Sequence, residues 1–118
     1  MLSVPATVRI FLASSPTDMR KSFDGLQGLV QQVFEEDVLS GHLFLFVNRR
    51  RDRIKILFWD RDGLCIWYKR LEAGTFQLPM IADGQQGIEL EAARLSCLLG
   101  GIDLNTARQR KRYRRVVR

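Results

Sequence analysis

The sequence predicts an α+β fold, in which an N-terminal strand and a long helix pack on an antiparallel β-meander, followed by a short C-terminal helix and a basic tail. Three observations carry that prediction. Apolar residues recur at helical spacing between residues 19 and 33. Three strand-like runs then follow one another through short polar connections, the pattern of antiparallel hairpins. All of the positive excess sits after residue 104.

The elements follow in chain order. In residues 7–12 (TVRIFL), Val8, Ile10 and Leu12 alternate with Arg9 and Phe11, as in a short strand. Ser15 then offers a helix N-cap, Pro16 suits the first helical position, and Asp18 falls where its carboxylate reaches back to the cap N–H. The helix is expected to run to about Glu36. Met19, Phe23, Leu26, Val30 and Val33 form its apolar stripe. Gly25 and Gly28 weaken it and leave room for another backbone to approach. Ser40-Gly41 breaks the pattern. Leu43–Asn48, Ile54–Trp59 and Leu64–Leu71 are the three strands, joined by the arginine-rich loop 49–53 and by the turn 60–63. Phe76–Leu78 is expected as a short edge strand stopped by Pro79. Residues 82–87 read as loop, and Glu89–Leu99 as a helix closed by Gly100-Gly101.

The 118 residues suit one domain, taken as 1–104, with 105–118 as the tail. At 46 % hydrophobic residues the composition is that of a globular chain. The net charge is +6. Arg108, Arg110, Lys111, Arg112, Arg114, Arg115 and Arg118 supply seven cations to the tail with no acidic residue among them, whereas residues 1–104 hold 12 basic and 13 acidic side chains. A basic tail on a near-neutral body favours contact with a polyanion over a merely solubilising end. Cys65 and Cys97 are far apart and lie in apolar surroundings, so two buried free thiols are expected, in keeping with a cytoplasmic protein. No signal peptide or membrane span is expected.

No cofactor, metal or catalytic centre is expected. His42 is the only histidine, too little for a zinc site with two distant cysteines. Neither a Walker loop nor a GxGxxG run occurs. Asp60 and Asp62 invite a metal-nuclease reading but bracket a turn beside Gly63, where aspartate is common for local reasons. Asp18 and Asp24 read as a cap and a solvated helix residue.

What remains is the cationic and aromatic hairpin region 48–70. It holds Arg49, Arg50, Arg51, Arg53, Lys55, Arg61, Lys69 and Arg70 with Phe58, Trp59, Trp67 and Tyr68. If Ile54, Ile56 and Phe58 face the long helix, then Lys55, Leu57 and Trp59 form an opposite face suited to phosphates and exposed bases. Trp59 and Trp67 are expected to serve the core rather than that face. Four arginines within residues 49–53 repel one another unless an anion is near. The DNA-binding set expected from the sequence is therefore Arg49, Arg50, Arg51, Arg53, Lys55, Lys69 and Arg70, with Arg108, Arg110, Lys111, Arg112, Arg114 and Arg115 of the tail.

Five blocks carry a family resemblance: Pro16–Leu26 (PTDMRKSFDGL), Ser40–Phe46 (SGHLFLF), Asn48–Asp60 (NRRRDRIKILFWD), Gly63–Glu72 (GLCIWYKRLE) and Leu98–Asp103 (LLGGID). In this order they resemble the accessory protein encoded by the second reading frame of IS66-family insertion sequences, over residues 7–104. The resemblance implies a role in transposition beside a separate transposase that carries the catalytic carboxylates. DNA is the expected partner. The alternative is an adaptor that docks on the transposase or another element-encoded protein without specific DNA contact.

Overall fold

The computed structural model describes residues 5, 7–103, 108 and 109. Its elements are β1 (Ile10–Ala13), α1 (Phe23–Leu29) running into a π-helical turn (Val30–Phe34), a 3-10 turn (Val38–Ser40), β2 (Leu43–Val47), β3 (Arg53–Asp60), β4 (Gly63–Arg70), β5 (Gly87–Leu90), α2 (Ala92–Gly100), β6 (Ile102–Asp103) and β7 (Arg108–Gln109). Five strands form one sheet in the order β4-β3-β2-β1-β5, and β6 pairs with β7 separately. The fold is α+β, and the β2-β3-β4 meander is antiparallel as expected. β1 joins it parallel to β2, with α1 in the crossover that a parallel pair requires.

The two central strands are apolar at every position because both of their faces are covered. On one face Phe11, Ala13, Phe44, Phe46 and Leu57 pack with Leu26 and Val30 of the first helix. On the other, Ile10, Leu12, Leu43, Leu45, Val47, Ile54 and Ile56 pack with Leu95, Leu98 and Leu99 of α2. Ile54 and Ile56 therefore face α2, and Leu57 faces the long helix, which reverses the assignment made from the sequence. The reason is that period-2 alternation sorts residues into two faces without saying which helix each face meets.

The first helix begins seven residues later than its cap signals suggest, with Ser22 as its N-cap and no side-chain cap bond. Four bonds hold residues 17–21 out of the helix. The Thr17 N–H donates to the Val47 carbonyl at 2.9 Å. The Asp18 carboxylate accepts from the Arg20 N–H at 2.9 Å instead of reaching back to a cap. The Met19 and Lys21 carbonyls both accept from the Lys55 ammonium at 2.8 Å, so they are turned sideways to a helical ladder. At its far end the helix stops at Phe34, where Glu35 takes a left-handed φ of 54°. Gly25 meets only the Lys21 side chain, and Gly28 has nothing within 4 Å, so neither admits a second backbone.

Two further expectations give way to tertiary pairing. Residues 87–90, divided above between loop and helix, form β5, antiparallel to β1, and α2 starts only at Ala92. The backbone groups on the outer side of β1 need partners, and β5 supplies them. Gly87 is required there, since a Cβ would lie 2.5 Å from the Phe34 ring and 2.9 Å from the Leu12 carbonyl oxygen. Residues 76–78 are not a strand; Phe76 is an anchor, buried in the α2-side core. Cys65 and Cys97 are free but half-buried rather than buried.

Lys55→Met is expected to destabilise the fold by about 1–3 kcal/mol, because two carbonyls lose a charged donor. Denaturant melts and faster amide exchange confined to residues 17–22 would check it; an unchanged midpoint would refute the role given to the ammonium.

Candidate nucleic-acid interface

The β2–β3 loop is built around one side chain. Asn48 Oδ1 accepts from the backbone N–H groups of Asp52 at 3.1 Å and Arg53 at 3.0 Å. Its Nδ2 donates to Asp52 Oδ1 at 2.7 Å. Its own backbone accepts from the Arg51 N–H and donates to the Arg53 carbonyl. Arg51 turns the chain with a left-handed φ of 61°, a conformation that an L residue tolerates singly. Two later segments hang on this loop, as the Leu71 N–H donates to the Asp52 carbonyl and the Phe76 N–H to the Arg51 carbonyl, both at 2.7 Å.

The loop displays Arg49, Arg50 and Arg51 to solvent, with Arg53 half-buried at the start of β3. An open cleft of about 520 Å³ separates it from residues 16–19. None of these four arginines has an ion pair among the described residues. Among the described residues the Arg53 guanidinium donates only to the Tyr68 hydroxyl, at 3.4 Å. Arg61 and Arg94 likewise have no ion pair among the described residues, but each stands apart from other cations, and three further arginines are paired. Arg20 is 2.6 Å from Asp18, Arg9 is 2.6 Å from Glu89 and 3.7 Å from Glu36, and Arg70 is 2.9 Å from Glu72. The Arg20 side chain, and then its backbone N–H, hold the Asp18 carboxyl down at about 2.

The remaining residues expected at this surface divide. Arg53 and Arg70 are opposite each other in the β3–β4 ladder, and Lys69 lies beside them on the other face. Lys55 is 8 % exposed, its ammonium taken by two carbonyls and by the Tyr68 ring at 4.7 Å, so it is not presented to a ligand. The face proposed for stacking, Lys55-Leu57-Trp59, is covered at Lys55 by the segment 19–21 and at Leu57 by the first helix. Trp67 packs against the α2-side core, as expected, and Trp59 is half-buried. Arg61 sits in the β3–β4 turn with Asp60 and Asp62, at the far end of the hairpin. In the tail, Arg108 lies on β7 opposite Asp103 in the ladder, and Arg110, Lys111, Arg112, Arg114 and Arg115 lie outside the described residues.

Sequence reasoning missed Asn48 and Asp52 as the staples of the loop. The available signal was an Asn at the mouth of a tight connection, a residue type whose amide bonds to backbone a few residues on.

Two outcomes follow from this geometry. Asn48→Ala removes three side-chain bonds and is expected to cost about 1–3 kcal/mol in a denaturant melt. Arg20→Gln should raise the Asp18 midpoint from about 2 toward the ordinary 3.8 in a carboxyl-carbon NMR titration. The folded value is depressed, so the Asp18 contact is complete above pH 4 and fades as pH falls through about 2. A midpoint unmoved by the substitution would exclude Arg20 as the cause.

Comparison with known proteins places these features. A family profile described as "IS66 Orf2 like protein" matches residues 8–109, past the end of the domain expected at 104 and through the β6–β7 ladder. Two proteins of Sinorhizobium fredii (strain NBRC 101917 / NGR234) are similar over 103 residues. "Uncharacterized protein y4hO" is 39 % identical, covering 87 % of this chain and 88 % of the relative. "Uncharacterized protein y4jC" is 32 % identical, covering 87 % and 86 %. No solved structure matches. Since the profile spans most of the chain and both its core blocks and its arginine loop, the protein belongs to the IS66 Orf2-like family of insertion-sequence accessory proteins.

Proposed function

We propose that this protein supports transposition by gripping the DNA backbone with Arg49, Arg50, Arg51 and Arg53, with Lys69 and the basic tail adding phosphate contacts. One observation carries the reading. Arg9, Arg20 and Arg70 have carboxylate partners, and Arg61 and Arg94 are single cations in their segments, whereas these four are crowded on one stapled loop with no ion pair among the described residues. Clustered uncompensated cations destabilise the free protein by mutual repulsion, and a phosphodiester backbone relieves it. Guanidinium groups suit phosphate because their paired N–H donors match two of its oxygens. Contacts of this kind position a protein on a duplex without reading its sequence. The family supplies the process, insertion-sequence transposition, with the strand cleavage assigned to the transposase. Lys55 drops out of the DNA-contacting set because its ammonium is already engaged.

The test is binding of labelled duplex across a salt series by the full chain, by Arg50→Glu/Arg51→Glu, and by a variant with the five tail cations at positions 110–115 changed to Gln. The loop variant is expected to bind all sequences more weakly and to lose about two units of salt slope, one for each phosphate contact. If it binds like the parent while the tail variant fails, the tail is the grip and the loop assignment is wrong. If none of the three binds, docking on the transposase becomes the better account of the body.

A further inference from the structure

The two edges of the sheet are treated differently. β5 is four residues long, and its central Glu89 is held by Arg9. Short, charged edges of this kind resist pairing with other chains. β4 is longer and carries its charges only at one end, on Lys69 and Arg70. It runs for eight residues (GLCIWYKR), and Leu64, Cys65, Ile66 and Trp67 are half-buried in succession. Leu64 and Ile66 pack on the α1 side and Trp67 on the α2 side, so the strand is apolar on both faces over residues 64–67.

The backbone parity of this edge is determined. The Leu71 N–H donates to the Asp52 carbonyl, and Asp60 faces Gly63 across a two-residue turn. Odd-numbered residues of β4 therefore aim their N–H and C=O at β3, and Leu64, Ile66, Tyr68 and Arg70 aim theirs outward. Among the described residues no strand or backbone group meets them.

We infer that this edge joins a second copy of the chain, β4 to β4 and antiparallel, about a two-fold axis through Ile66. Parity allows outward residues to pair only with outward residues. Centring on Ile66 then sets Leu64 opposite the partner's Tyr68, and Asp62, at the turn, opposite the partner's Arg70. Apolar residues meet apolar or aromatic ones, and the acidic end of each strand meets the basic end of the other, twice per dimer. Sliding by one two-residue step loses the match: either Arg70 faces the partner's Leu64, or Tyr68 faces the partner's Asp62 and Arg70 lies beyond the partner's strand. Arg70 is free to turn, because its present contact with Glu72 is solvent-exposed on both sides and such pairs hold weakly. The result is a continuous ten-stranded sheet of the self-complementary kind that two-fold symmetry demands. This pairing does not depend on DNA binding.

The test is sedimentation equilibrium of the nuclease-treated full chain over a concentration series, with thermal melts confirming that each variant is folded. The parent is expected to show a monomer–dimer equilibrium. Asp62→Arg and Arg70→Asp should each weaken it by about tenfold or more, since two cross-strand pairs become like-charged. The double variant Asp62→Arg/Arg70→Asp should recover it, because the charges are merely exchanged. A parent that is monomeric throughout, single variants that dimerise like the parent, or a double variant no better than the singles would each overturn the inference.

Discussion

A buried ammonium organises this molecule. Lys55 sits in the third strand of a sheet whose neighbouring positions are fully apolar, and at 8 % exposure its charge must be met inside the protein. No carboxylate does this among the described residues. Two backbone carbonyls, of Met19 and Lys21, and the face of Tyr68 take the role. Carbonyls turned to a side chain cannot also serve a helical ladder. So the chain between β1 and α1 is held as an irregular strap over the sheet, and the helix starts only at Phe23. The strap in turn forms one wall of the cleft beside the arginine loop.

The opposite wall depends on a second polar device. Asn48 closes the β2–β3 loop on itself, and the carbonyls of Arg51 and Asp52 then receive the chain after β4 at Phe76 and Leu71. Phe76 is thereby delivered to the α2-side core, and Thr17 is tied to the end of β2. A loop that anchors two later stretches of chain, next to a strand end that holds a third, cannot easily move. Arginines mounted on it pay little ordering entropy of the backbone when they meet a ligand. Electrostatic repulsion among them is the standing cost of that arrangement, and in the proposed function the DNA backbone relieves it.

The remaining charges are distributed as a protein with two kinds of edge would need. Arg9 and Glu89 finish the β5 edge, while β4 keeps its outward backbone groups and an acid-to-base gradient from Asp62 to Arg70. In the proposed β4–β4 pairing the two arginine loops lie at opposite strand ends, each one strand away from the seam, and β5 forms both outer edges.

Much of this was legible in the sequence. The three central strands, the helical stripe through Leu26 and Val30, the short helix ending at Gly100, and the arginine loop all follow from spacing and turn chemistry, which are local. The family blocks brought the strap and the loop into one signature before geometry showed them as two walls of one cleft. What the sequence could not convey were interactions between residues far apart in the chain. Ser15, Pro16 and Asp18 are sound cap signals, overruled by Lys55 from 34 to 36 residues away. Gly87–Leu90 became a strand because β1 needed a partner, not through its own propensity. A lysine in an alternating strand reads as solvent-facing, and only the segment that crosses above it made it a buried clamp. Sequence alone determined the α+β class, the first strand and the three strands of the meander, the family and the cationic loop, because local periodicity and composition encode them. Tertiary structure decided which helix covers which face, where the first helix begins and which cations remain unpaired, because those depend on contacts that form only when distant segments meet.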